Sequence, residues 1–122
     1  MGEVVQLRPL VLGYARLAPF AGHGQHTAVQ AQLTTYAQEA GLQLGTVYFE
    51  RTGSLPLFDH ADPAPAYTSL LAGLRHPGVT GVVVPSLDAF GDEKDKRLAE
   101  LEDDLATVVH VVNAEDVHDP RD

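Results

Sequence analysis

Cysteine is absent from the 122-residue chain, which rules out a disulfide framework, a thiolate nucleophile and a cysteine-ligated metal. Positive charge is scarce: eight Lys and Arg residues stand against 17 Asp and Glu, for a net charge of −9. Proteins that bind DNA gain much of their affinity by neutralising phosphates with Lys and Arg. This chain is instead repelled by a duplex within the Debye length, so the isolated chain is expected not to bind DNA. Long apolar runs are missing too. None approaches the roughly 20 residues needed to cross a bilayer, and no membrane association is expected. Glu3 and Gln6 interrupt the N-terminal stretch and no small-residue cleavage site follows, so it does not read as a secretion signal and a cytoplasmic location is expected. Gly22-His23-Gly24 is too short to cradle a phosphate, and neither it nor Gly41 to Gly45 makes a dinucleotide fingerprint. No cofactor is expected. Isoleucine is absent, lysine is limited to Lys94 and Lys96 and asparagine to Asn113, the bias of a GC-rich genome of the actinobacterial kind.

What is present is an ordinary globular balance, 44% hydrophobic and 20% charged, at a length that suits one domain. Residues 1–8 read as a polar lead, 9–113 as an α/β domain and 114–122 as a polar tail. Leu10 to Ala15 is a continuous apolar run, expected of a strand buried on both faces. A helix is expected from Gln25 to Ala40, with Val29, Leu33, Tyr36, Ala37 and Ala40 on one face and Gly41 stopping it in the left-handed conformation. Leu44 to Phe49 reads as a second strand and Arg51 to Pro65 as a long loop, with Pro65 in the first turn of the next helix. That helix runs to Leu74, with Leu70, Leu71 and Leu74 inward. Gly81 to Pro85 is a third strand, Asp92 to Leu105 a third helix with Leu98, Leu101 and Leu105 on one face, and Val108 to Val112 a fourth strand. The alternation β-α-β-α-β-α-β implies a three-layer α/β sandwich around a mainly parallel four-stranded sheet. Function in such sheets collects at the carboxyl ends of the strands, here Arg16 and Ala18, Glu50 and Arg51, Ser86 and Asp88, and Asn113.

At those ends three segments are similar to one family. Leu12-Gly13-Tyr14-Ala15-Arg16-Leu17-Ala18 resembles the opening strand of serine recombinases (resolvases and invertases), Gly-Tyr-Ala-Arg-Val-Ser. Gln30 to Leu33 and Tyr36 to Leu42 are similar to that family's first helix. Val82 to Asp92 resembles a segment ending in Leu-Asp-Arg-Leu-Gly-Arg. The resemblance spans Leu10 to Val112 and implies a resolvase-like fold. It also implies a reaction: a serine hydroxyl attacks a DNA phosphodiester while arginines stabilise the phosphate charge. Carried over by position, the nucleophile is Ala18, which has no hydroxyl. The two arginines of the third motif become Ala89 and Asp92, and a further arginine before the second helix has no counterpart in Asp59 to Ala66. Arg16 and Asp88 are retained. The resemblance thus implies a pseudoenzyme with a vestigial pocket of Tyr14, Arg16, Ala18, Asp88 and Asp92. Ser54, as a substitute nucleophile, lacks the arginine cluster. The family's long dimerisation helix and DNA-binding module have no counterpart within this sequence, so its assembly mode does not carry over.

Several residues read two ways. Arg16 and Asp88 are either a salt bridge locking two loops or a retained pocket for an anion. His23, His26 and His60 with Asp59 or Asp62 are either a metal site or scattered histidines, and no metal is expected. Asp92 to Asp104 holds seven acidic and three basic residues, either a docking surface that includes Glu100, Asp103 and Asp104 or the solvated face of a helix. Leu55, Leu57 and Phe58 either fold onto the core or form an apolar contact patch. The expected function is that of a catalytically inactive module acting through a protein partner or a second copy, in a regulatory role. A small-ligand or anion sensor at the vestigial cleft and a residual DNA-processing enzyme are the alternatives.

Overall fold

The structure, a computed structural model, describes residues 8–17, 22–51 and 65–113. The first seven residues, most of the Arg51–Pro65 loop and the tail 114–122 lie outside them. Four strands, β1 (Leu10–Leu17), β2 (Gln43–Arg51), β3 (Val79–Val84) and β4 (Val108–Val111), form one sheet in the order β2-β1-β3-β4. Every pairing is parallel. The central strand β1 is enclosed from Val11 to Ala15, as its unbroken apolar run requires.

Helix α1 (His23–Glu39) covers one face of the sheet and α2 (Pro65–Leu74) the other. On the α1 face Val11, Val83 and Leu42 pack with Leu33 and Ala37. On the opposite face Leu12, Tyr14, Val82 and Val84 pack with Tyr67, Leu70 and Leu74 of α2 and with Phe90 and Leu101. Strand alternation explains the division, since successive side chains point to opposite faces. The result is the three-layer α/β sandwich expected from the sequence. Its helix α1 starts two residues earlier than expected, so His23 and His26 stand in its first turn. At its end the Leu42 amide donates to the Ala37 carbonyl (2.8 Å) and the Gly41 amide to that of Gln38 (3.3 Å). Gly41 takes φ +75°, so the helix closes in a Schellman turn that buries Leu42. Ala40, expected on the inner face, is exposed because it is already the capping residue. Leu71 is only half-buried, on the flank of α2.

The expected helix over Asp92 to Leu105 is three pieces. Leu87–Glu93 is a 3₁₀ segment, Lys94–Ala99 is helix α3 and Glu100–Asp104 is a π turn. Gly91, at φ 70° and ψ −151°, cannot belong to any helix and sets the first break. At the other end the Leu105 amide reaches back to the Glu100 carbonyl (3.1 Å) and Thr107 to Leu101 (2.8 Å), with Ala106 at φ 52° turning the chain into β4.

Close strand packing makes one further position sensitive. A Cβ on Gly81 would stand 2.6 Å from the backbone oxygen of Val108, which a side-chain rotation cannot relieve. Gly81→Ala is expected to destabilise the fold by about 1–3 kcal/mol through a displaced β4, measured by urea unfolding.

Candidate functional site

In the order β2-β1-β3-β4 the topology reverses between β1 and β3, and the carboxyl ends of those strands are where a crevice forms in sheets of this kind. Glu50, near the end of β2, is the buried charge of this region, at 8% exposure. Its Oε1 accepts the Tyr14 hydroxyl (3.1 Å) and the Tyr67 amide (3.0 Å), and its Oε2 accepts the Ala66 amide (3.3 Å). Ala66 and Tyr67 follow Pro65 in the first turn of α2, where backbone N–H groups have no partner inside the helix. The carboxylate therefore replaces water both at a helix N-terminus and at a phenol. A negative charge is favoured there by the helix dipole as well.

The network continues outward. Tyr67 donates its hydroxyl to Glu100 Oε1 at 2.7 Å. The Arg97 guanidinium lies over the Tyr67 ring, 4.5 Å from its centroid, and donates to the Phe90 carbonyl at 3.2 Å. Tyr14 meets Tyr67 edge-on and stacks on Phe90, each pair at 5.8 Å. Burial, reinforced by the adjacent Glu50 carboxylate, holds the Tyr14 hydroxyl well above its ordinary pKa, with Arg97 and Arg16 opposing the shift. Burial and the hydrogen bond to Glu100 do the same for Tyr67. Both hydroxyls are thus donors locked in the neutral form.

Of the residues expected to form the pocket, Tyr14, Arg16 and Asp88 have described side chains. Tyr14 is fully buried and faces Glu50, lining no open surface. Arg16 is exposed, its guanidinium laid against the backbone of Gly91, where any Cβ would collide with it. Asp88 is exposed in the first turn of the 3₁₀ segment, and no ion pair joins it to Arg16 among the described residues. Asp92 belongs to the same segment. Ala89 is buried at 4% in the core beside Phe90. Ala18, Ser54, Leu55, Leu57 and Phe58 lie outside the described residues, as do Asp59, His60 and Asp62. Of the acidic surface residues, Asp103 and Asp104 are exposed, whereas Glu100 is half-buried and held by Tyr67. The His26 ring rests on Phe49, 3.9 Å between centroids, and among the described residues no three His, Asp or Glu side chains are grouped to hold a metal. No helix among the described residues is long and apolar enough to cross a membrane.

Sequence reasoning recognised Glu50 as a strand end but not as the hub. Its signal is a carboxylate two residues after Tyr48 at the end of a strand, with a Pro-initiated helix to receive it. Glu50→Ala leaves one buried hydroxyl and two amides without partners and is expected to cost about 2–5 kcal/mol, against about 1 kcal/mol for Tyr14→Phe, read from urea midpoints. In an alkaline absorbance titration, Tyr14 and Tyr67 are expected to stay protonated past pH 10.0, their ordinary pKa, and to ionise only on unfolding. Because their folded pKa values are raised, the stability they confer is complete below pH 10.0 and declines as pH rises above it. Ionisation of all four tyrosines at pH 10.0 in the folded state would contradict the network.

No protein-family model and no curated protein sequence matches the chain. Among solved structures it is similar to the crystal structure of the N-terminal catalytic domain of TP901-1 integrase, with a TM-score of 0.63 and 20% identity over 85% of this chain and 77% of that one. At that identity the likeness establishes a shared fold. The parallel four-stranded sheet and its helices are the fold shared with that domain, and they agree with the resolvase-like α/β architecture that the Gly13-Tyr14-Ala15-Arg16 and Leu87-Asp88 segments led us to expect.

Proposed function

We propose that this chain is a recombinase-fold domain without the recombinase reaction, working through protein contacts in a regulatory or scaffolding role. The observation that carries the reading is the closed network around Glu50. Phosphoryl transfer requires cations converging on the anion whose charge develops. At this end of the sheet the network instead holds two carboxylates, Glu50 and Glu100, and fastens Arg97 to the Tyr67 ring and the Phe90 carbonyl. Ala89, which the resemblance aligns with a family arginine, contributes a methyl group to the core. Ala18, aligned with the nucleophile, offers no oxygen. The integrase domain that shares this fold is described as catalytic; we infer that the fold has been kept here while the chemistry has gone. The net charge of −9 further opposes duplex binding by the chain alone.

A second reading, a small-anion sensor, is favoured by the exposed guanidinium of Arg16 at the reversal point of the sheet. A thermal-shift screen separates it from the first. An anion present at 100 times its Kd adds about 2.7 kcal/mol of stability, and that gain would vanish in Arg16→Gln.

The purified chain is expected to leave supercoiled plasmid intact and to form no covalent adduct visible on a denaturing gel. Ala18→Ser is expected to form none either, because an added hydroxyl does not restore the missing cations. An adduct from the unaltered chain would overturn the proposal; one from Ala18→Ser would overturn the argument from charge.

A further inference from the structure

We propose that the outer edge of β4, together with the acidic turn before it, receives an extended basic segment of a partner protein as a fifth strand of the sheet. This rests on the protein-contact reading above and gives that partner its chemistry. The sheet order leaves two edges, β2 and β4. Strand β4 pairs with β3 from Gly81 opposite Val108 to Val84 opposite Val111, and the contact continues through the Val112 and Asn113 amides to Val84 and Pro85. Alternate N–H and C=O groups on its far side point away from β3, unpaired among the described residues.

Exposed edges are ordinarily guarded by charge, proline or a bulge. β2 is guarded: its pairing with β1 is interrupted by a bulge opposite Val11 to Gly13. β4 is not. Thr107-Val108-Val109-His110-Val111-Val112 contains no carboxylate, lysine, arginine or proline. Val108 is 56% exposed, the large apolar side chain left in solvent among the described residues. A run of β-branched residues at an open edge is a template for strand addition, in which main-chain hydrogen bonds supply affinity and alternate side chains supply selectivity.

Charge identifies the occupant. Glu102, Asp103 and Asp104 are all exposed in the π turn, and Ala106 at φ 52° leads from that turn directly into β4. From Leu98 to Asn113 there is no lysine or arginine to balance them. A strand laid beside β4 would have one end against three carboxylates, which favours lysine and arginine there. A second copy of this chain would bring the same carboxylates and another −9 charges to the contact. Residues 114–122 hold four acidic residues and Pro120, a composition ill suited to that position.

The test uses the intact chain and a random short-peptide library displayed on phage. Selected peptides are expected to alternate β-branched residues with Lys or Arg and to perturb the amide resonances of Val108 to Val112. Their affinity is expected to fall about tenfold in Asp103→Lys/Asp104→Lys, two exposed substitutions that leave the core untouched, and by at least as much when salt is raised from about 0.05 M to about 0.5 M. Failure to select any peptide, peptides without basic bias, or binding that survives the double substitution would overturn the inference. So would protection of the outer β4 amides without peptide, whether in the monomer (its own tail) or only where the mass doubles (a second copy). Peptides that map to another surface would defeat this inference and leave the protein-contact reading intact, whereas a covalent DNA adduct would defeat that reading itself.

Discussion

The Glu50 carboxylate joins three elements that adjoin only through long excursions of the chain. It belongs to β2, its phenol donor Tyr14 to β1, and its two amide donors to the first turn of α2. A carboxylate taken from water to this depth is costly unless its lone pairs are filled. Here three donors and the positive end of a ten-residue helix fill them. Fixing the start of α2 fixes Tyr67, and Tyr67 in turn positions its hydroxyl for Glu100 and its ring for Arg97. The irregular descent from Leu87 to Asp104 is shaped by the same contacts. Its π turn carries Glu100 toward Tyr67 while Leu101 enters the core.

This arrangement has a functional consequence because of where it lies. In a parallel sheet the carboxyl ends of the strands are where ligands and reacting groups gather. Here that end is occupied by polar groups that satisfy one another, with the two tyrosine hydroxyls held neutral and one arginine committed to a ring and a carbonyl. Arg16 alone, among the named residues of this region, presents a cation outward, and it is held against Gly91. In a fold shared with an integrase catalytic domain, this end of the sheet thus holds carboxylates filled by the chain's own donors, while Val108 stands exposed at the β4 edge.

Much of the scaffold was legible in the sequence because its causes are local. Continuous Val and Leu runs marked β1 and β3 as buried strands and β4 as a fourth strand, Gly41 marked the end of α1, and Pro65 marked the start of α2. The break at Gly91 was not legible: its backbone conformation is useful only because the Arg16 guanidinium, 75 residues earlier in the chain by number, occupies the space of its missing side chain. The π turn was hidden for a similar reason, since the periodicity of Leu98, Leu101 and Leu105 is compatible with a regular helix and the deviation is tied to Glu100 and Tyr67. Glu50 was visible as a strand end, but its donors lie 16, 17 and 36 residues away, and no spacing rule connects them. Tyr14, expected to line a pocket, is buried for the same reason. Around Ala18 and Leu55 to Phe58 the expectations concern residues outside those described.

Amide hydrogen exchange at Ala66 and Tyr67 tests the central claim most directly. First-turn amides of a helix have no intrahelical acceptor and ordinarily exchange quickly. If the Glu50 carboxylate holds them, both will exchange as slowly as the core amides of Val82 to Val84 in β3. Exchange at the rate of an open helix end, with β3 still protected, would contradict the account.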